Sequence, residues 1–161
     1  MVILLMGAAG SGKTTIGRAL ANALGWGFRD ADDFHQPANL AKMATGQPLT
    51  DADRAPWLAA IRAHLDATIA RGENAVVTCS ALKAAYREIL GVARMPVKLV
   101  HLAGDPALLA ERLAGRRDHF MKAAMLASQL ATLEPPLAAL TIDIANPPDQ
   151  IVAQIRHALS V

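Results

Sequence analysis

One cysteine, Cys79, stands in a chain of 161 residues. Without a second thiol there is no internal disulfide and no cysteine cage for zinc. That fits a reducing compartment, so the expected location is the cytoplasm. Charge of one sign is equally scarce. Sixteen Lys and Arg against 14 Asp and Glu leave a formal charge of +2, too little for a generic polyanion binder, and nucleic acid is not the expected partner. Long apolar runs are missing too: no segment approaches the roughly 18 uncharged apolar residues of a membrane span. The opening MVILLMG is apolar, but it lacks the basic flank of a secretion signal and runs straight into a glycine-rich loop. It reads as a buried strand.

Apolar residues make up 53% of the chain and charged residues 19%, so burial can offset chain entropy in one domain over 1–161. Strand-like runs at 2–6, 26–30, 75–79, 97–102 and 141–144 alternate with helix-periodic segments at 14–24, 57–70, 84–90, 107–113, 122–133 and 151–159. Five strands separated by helices predict an α/β fold, a parallel sheet with helices on both faces in a three-layer αβα sandwich. Asp105 before Pro106 predicts a helix start, and Gly25 and Gly91 predict helix ends.

Residues 7–14 read GAAGSGKT, a full match to GxxxxGK[ST] between a strand and a helix, the context a phosphate loop requires. In such a loop backbone N–H groups turn inward around phosphate oxygens, and the helix N-terminus adds its positive dipole end. Gly7, Ala8, Ala9, Gly10, Ser11, Gly12, Lys13, Thr14 and Thr15 are therefore the expected ATP-binding residues, with Lys13 on the β and γ phosphates and Thr14 on Mg²⁺. Other nucleotide classes fail on what is missing. The third glycine of a dinucleotide fingerprint is replaced by Thr15. The DxxG and NKxD segments of a GTPase are absent, and the third strand ends VVTCS with no carboxylate for a metal.

That carboxylate must come from elsewhere, and the second strand ends in DADDFH at 30–35. Strand C-termini are where ligands bind in open α/β sheets. Alternation along an extended segment sets Asp30 and Asp32 on one side, one to hold Mg²⁺ through water and one to accept a proton from an attacking hydroxyl. Asp32 is the expected base and Asp30 its rival. A metal role for His35 is disfavoured because no second histidine lies at ligand spacing.

Together with GAAGSGKT and DADDFH, the blocks NLAKMATGQPLTDADRAPWL at 39–58, CSALKAAYREIL at 79–90, RRDHF at 116–120 and SQLATLEP at 128–135 resemble the gluconokinases, small phosphate-loop kinases that phosphorylate D-gluconate at its 6-hydroxyl. The resemblance covers most of the chain, with modest departures at Gln36, Gly91 and Met121. It implies a small-molecule kinase fold with strand order 2-3-1-4-5, a substrate-binding helical insert near 36–58 and a lid near 115–125. It implies ATP and Mg²⁺ as cofactors and a role in gluconate catabolism. The family is often dimeric, so a homodimer is an open expectation.

Gluconate is a polyol carboxylate, so its site needs cations and several hydrogen-bonding groups. Arg54, with Lys83 and Arg87 four apart on one helical face, supplies the cations, while Asp32, His35 and His119 face hydroxyls. By resemblance Arg116 reaches the transferring phosphate, and Arg112 stacks on adenine near Asn146 and Pro147. Trp57 reads as a core anchor and Cys79 as a buried core thiol. Two other readings share the phosphate loop. One is a shikimate-kinase-like enzyme, which leaves the 39–58 block unexplained, and the other is an ATP-binding regulatory module that transfers no phosphate.

Overall fold

The computed structural model describes residues 1–45, 47–92, 96–115 and 120–161. Five strands, β1 (Val2–Met6), β2 (Gly27–Asp30), β3 (Ala75–Thr78), β4 (Val97–Ala103) and β5 (Leu140–Asp143), form one sheet in the order β2-β3-β1-β4-β5. Every pairing is parallel. The helices are α1 (Lys13–Leu24), α2 (Pro37–Ala44), α3 (Asp51–Ala70), α4 (Ala84–Ile89), α5 (Pro106–Ala114), α6 (Phe120–Thr132) and α7 (Pro148–Leu159). This is the expected α/β sandwich, with the expected strand order.

All five residues of β1 are fully buried, as a central parallel strand covered on both faces must be. Alternation divides them. Ile3 and Leu5 pack with residues of α1, α5 and α7, including Leu20, Leu109 and Ile155. Val2, Leu4 and Met6 pack with α3 and α4, including Leu58, Ile61, Leu65 and Tyr86. A side-chain period of two thus produces two apolar layers from one strand.

Most element ends fall within a residue or two of expectation; the segment before Trp57 does not. There α3 begins at Asp51, six residues early, because Thr50 and Asp53 form a reciprocal capping box. Pro56 lies inside the helix, where its missing N–H removes one backbone bond in the second turn. The same segment contains a further helix, α2, which starts on Pro37. Asn39 Nδ2 donates to the Asp53 carbonyl at 2.8 Å and Lys42 donates to the Asp53 carboxylate at 2.7 Å. Three polar residues of the 39–58 block therefore tie α2 to the start of α3. Asp105 caps α5 by accepting from the Ala107 N–H at 2.7 Å, and Gly25 ends α1 in the left-handed region, both as expected.

Candidate active site

The C-terminal ends of β1, β2 and β3 carry the chemistry. After β1 the chain turns through Gly10 and Gly12, with φ of 84° and 83°, values that glycine adopts without steric cost. A Cβ on Gly10 would stand 2.7 Å from the Leu109 carbonyl oxygen, so the loop's approach to α5 also demands glycine. Gly12 is the N-cap of α1 and makes no side-chain cap, leaving the amides of the first turn for a ligand. Ser11 is buried and its Oγ has no hydrogen-bond partner among the described residues. Lys13 Nζ donates to the Gly7 and Ala8 carbonyls at 2.9 and 3.0 Å, so its charge is held over the loop.

Beside the loop lies a cleft of about 250 Å³ whose walls include Gly10, Ser11, Gly12, Thr15, Arg112 and Asn146. The structure thus brings the expected Arg112 and Asn146 to the phosphate loop. Arg112 is anchored by a 2.7 Å bond to the Ile144 carbonyl. The proline in the wall is Pro148; the expected Pro147 is instead the N-cap of α7. A larger, shallow depression on α7, lined by residues such as Arg156 and His157, holds none of the motif residues.

The acidic strand end differs from expectation. Alternation beyond Asp30 fails because Ala31–Phe34 is a 3-10 turn, and Asp30 caps it by accepting from the Asp32 N–H at 3.2 Å. The two carboxylates take different partners while staying close enough to interact. Asp30 Oδ2 receives the Thr14 hydroxyl at 2.8 Å, which sets two oxygen donors together beside the loop, the hard ligand set that suits Mg²⁺. Asp32 faces His35, with Oδ1 3.9 Å from Nε2. The Asp32 side chain reaches solvent, and its pKa is raised, by desolvation first and the Asp30 charge second. Lys13 and His35 oppose that shift.

His35 is itself buried, and desolvation keeps its pKa below the ordinary value, aided by Arg54. Its ring stacks on Trp57 at 4.6 Å and 5°, and Nδ1 has no hydrogen-bond partner among the described residues. The Trp57 indole N–H donates to the Ala31 carbonyl at 2.7 Å. Trp57 therefore shapes the site as well as the core, holding the turn between the two aspartates.

Arg54, Lys83 and Arg87 do not form one cationic face. Lys83 is the N-cap of α4, outside the helix, and reaches both oxygens of Asp51 at 2.9 and 2.7 Å. Arg54 lies 3.5 Å from Asp51 and 3.3 Å from the Tyr86 hydroxyl, which also donates to Asp51. The hydrogen bonds from Lys83 and Tyr86 hold the Asp51 pKa below the usual range. Two cations and one carboxylate leave one net positive charge, a match for a single substrate carboxylate. Arg87 turns away, donating to the Ala81 and Leu82 carbonyls at 2.9 and 3.0 Å. Asp51 and Tyr86 were not foreseen, although Tyr86 follows Lys83 by three residues. Arg116 and His119, with 117 and 118 of the expected lid, lie outside the described residues. Cys79 is buried among apolar groups, which push its thiol up to about 12, the inert core residue expected.

Residues 2–136 match the family described as an AAA domain. The chain is 52% identical to a gluconokinase of Gluconobacter oxydans over 83% of its own length and 75% of that protein's. It is 37% identical to the thermoresistant gluconokinase of Escherichia coli, over 94% and 89% of the two chains. The crystal structure of a gluconokinase from Sinorhizobium meliloti superposes with a TM-score of 0.83 at 40% identity, covering 99% of this chain and 95% of that one.

Proposed function

Since this chain belongs to the gluconokinase family and to the AAA domain family, we propose that it transfers the γ-phosphoryl group of ATP to the 6-hydroxyl of D-gluconate, giving 6-phosphogluconate and ADP. The observation that carries the reading is the position of Asp32. This carboxyl of raised pKa feels both the Lys13 ammonium and His35, and His35 in turn feels Arg54 of the cation cluster. The phosphate-loop lysine, the base and the cation cluster are therefore linked by charge through Asp32 and His35.

Gluconate's carboxylate pairs with Arg54 and Lys83, displacing part of their hold on Asp51, while Tyr86 and His35 face its hydroxyls. Asp32 takes the proton of the attacking hydroxyl as the bond to phosphorus forms and the bond to the ADP oxygen breaks. The backbone amides at the start of α1 hold the phosphates, and Lys13 moves from the Gly7 and Ala8 carbonyls onto them to stabilise charge in the transition state. Thr14 and Asp30 are the residues that would hold Mg²⁺, which when bound neutralises phosphate oxygens. Arg112 and Asn146 line the adenosine side. Residues 36–58 act as the substrate-binding insert and 115–125, with Arg116 and His119, as the lid over the phosphates, all within one domain over 1–161. A shikimate-kinase-like reading accounts for the phosphate loop and Asp32, but not for the gluconokinase relatives.

The test is product identity. After incubation with Mg·ATP and gluconate, ³¹P and ¹³C NMR should place the new phosphate on C6. Phosphate on another carbon, or ATP hydrolysis without a gluconate ester, would refute the reading.

A further inference from the structure

The turn that carries Lys83 is strained and tightly held. Ala81 is fully buried with φ at 44°, a left-handed conformation that is sterically unfavourable for a residue with a Cβ. Four hydrogen bonds converge on residues 81–84. Arg87 donates to the Ala81 and Leu82 carbonyls. The Glu134 N–H donates to the Leu82 carbonyl at 3.0 Å, and the Glu134 carboxylate accepts from the Ala84 N–H at 2.6 Å. Glu134 lies two residues beyond the end of α6. Three residues before that helix ends, Gln129 Oε1 accepts from the Ala9 N–H of the phosphate loop at 2.7 Å.

From these contacts we infer that the end of α6 is a two-armed brace in which Gln129 positions the phosphate loop and Glu134, with Arg87, positions Lys83 for the acceptor. Neither Gln129 nor Glu134 touches a reacting atom; each acts through the loop whose backbone it holds. The strain at Ala81 explains why two side chains are needed, since without them the turn relaxes and the Lys83 ammonium moves off Asp51 and Tyr86. Arg87, read from the sequence as a substrate ligand, becomes a clamp on the turn. The two arms hold different loops, so their losses should separate by substrate.

This inference rests on the reading that Lys83 faces gluconate. Initial rates of the full chain with gluconate and Mg·ATP test it. Glu134→Ala should raise KM for gluconate about fivefold or more and leave KM for ATP within about twofold, as expected when one hydrogen-bonded positioning contact is lost. Glu134→Gln keeps an oxygen that can accept from the Ala84 N–H and should return KM for gluconate to within about twofold of the parent. Gln129→Ala should do the reverse, raising KM for ATP and sparing gluconate. Where Glu134→Ala does not fold, Glu134→Asp, which keeps the charge and the backbone donor but shortens the reach, takes its place. Parallel changes in both KM values, no change in a folded variant, or a Glu134→Gln enzyme as poor as Glu134→Ala would overturn the brace. Absence of gluconate turnover in the parent would instead overturn the functional reading.

Discussion

Replacing Trp57 with phenylalanine probes how the core holds the catalytic turn. Trp57 is only 4% exposed, its N–H bonds the Ala31 carbonyl at 2.7 Å, and its ring lies 4.6 Å from that of His35. Phenylalanine keeps an aromatic face for the imidazole but removes the donor and part of the bicycle. A buried acceptor left unpaired costs about 1–3 kcal/mol, and the smaller ring adds about 1 kcal/mol through the void it leaves. At roughly 3 °C per kcal/mol for a chain of this size, Tm should fall by about 6–12 °C. Ala31 separates Asp30 from Asp32, so the loosened turn should also lower kcat about tenfold while KM for ATP stays within about twofold. Thermal melts followed by circular dichroism, with coupled ADP-release kinetics, read both effects. A Tm within 1–2 °C of the parent together with unchanged kcat would show that the indole N–H does not hold the turn.

Asp32→Asn keeps the shape but not the base, so kcat should fall by roughly 10² to 10⁴ with near-normal ATP affinity; normal turnover in this variant beside a dead Asp30→Asn would exchange their roles. In the parent enzyme the base must be ionised and its pKa is raised, so kcat should decline as pH falls through a value above that of an ordinary aspartate, and that limb should vanish in Asp32→Asn. Lys13→Ala should lower kcat by about 10² or more with the fold intact, because developing phosphate charge loses a cation, and an unchanged rate in a folded variant would remove Lys13 from the mechanism. Asp53 is held down to about 2 by Lys42 and by the Thr50 backbone and hydroxyl. A depressed folded pKa stabilises above the unfolded value and is lost as pH falls through the folded one. Urea midpoints should therefore drop between about pH 4 and pH 2, and Asp53→Asn should flatten that drop.

Where one local rule decided the outcome, the sequence was legible. GAAGSGKT between a strand and a helix located the phosphate loop, and apolar runs located five strands whose central member is buried on both faces. Asp105 ahead of Pro106 located a helix start that the structure caps as expected. Failures came where side chains competed with simple periodicity. Helical periodicity suggested a helix start at Trp57, but the Thr50 and Asp53 capping box sets the start at Asp51 and the helix tolerates Pro56. Alternation assumed an extended chain through Asp30 and Asp32, but Asp30 accepts from the Asp32 N–H and the segment turns as a 3-10 helix. Spacing suggested that Lys83 and Arg87 share a helical face, whereas α4 begins only at Ala84. Asp51, Tyr86, Gln129 and Glu134 had no legible role because their partners are 32 to 120 residues away in sequence. Only the folded sheet brings such groups together.

The central claim is that this phosphate loop serves gluconate. Its most direct test is a coupled ADP-release screen of the purified chain with Mg·ATP against gluconate, shikimate, glycerate and nucleoside monophosphates at matched concentrations. The account predicts turnover with gluconate far above the background ATPase rate and background rates with the other three. Turnover with shikimate or a nucleotide and none with gluconate would contradict it.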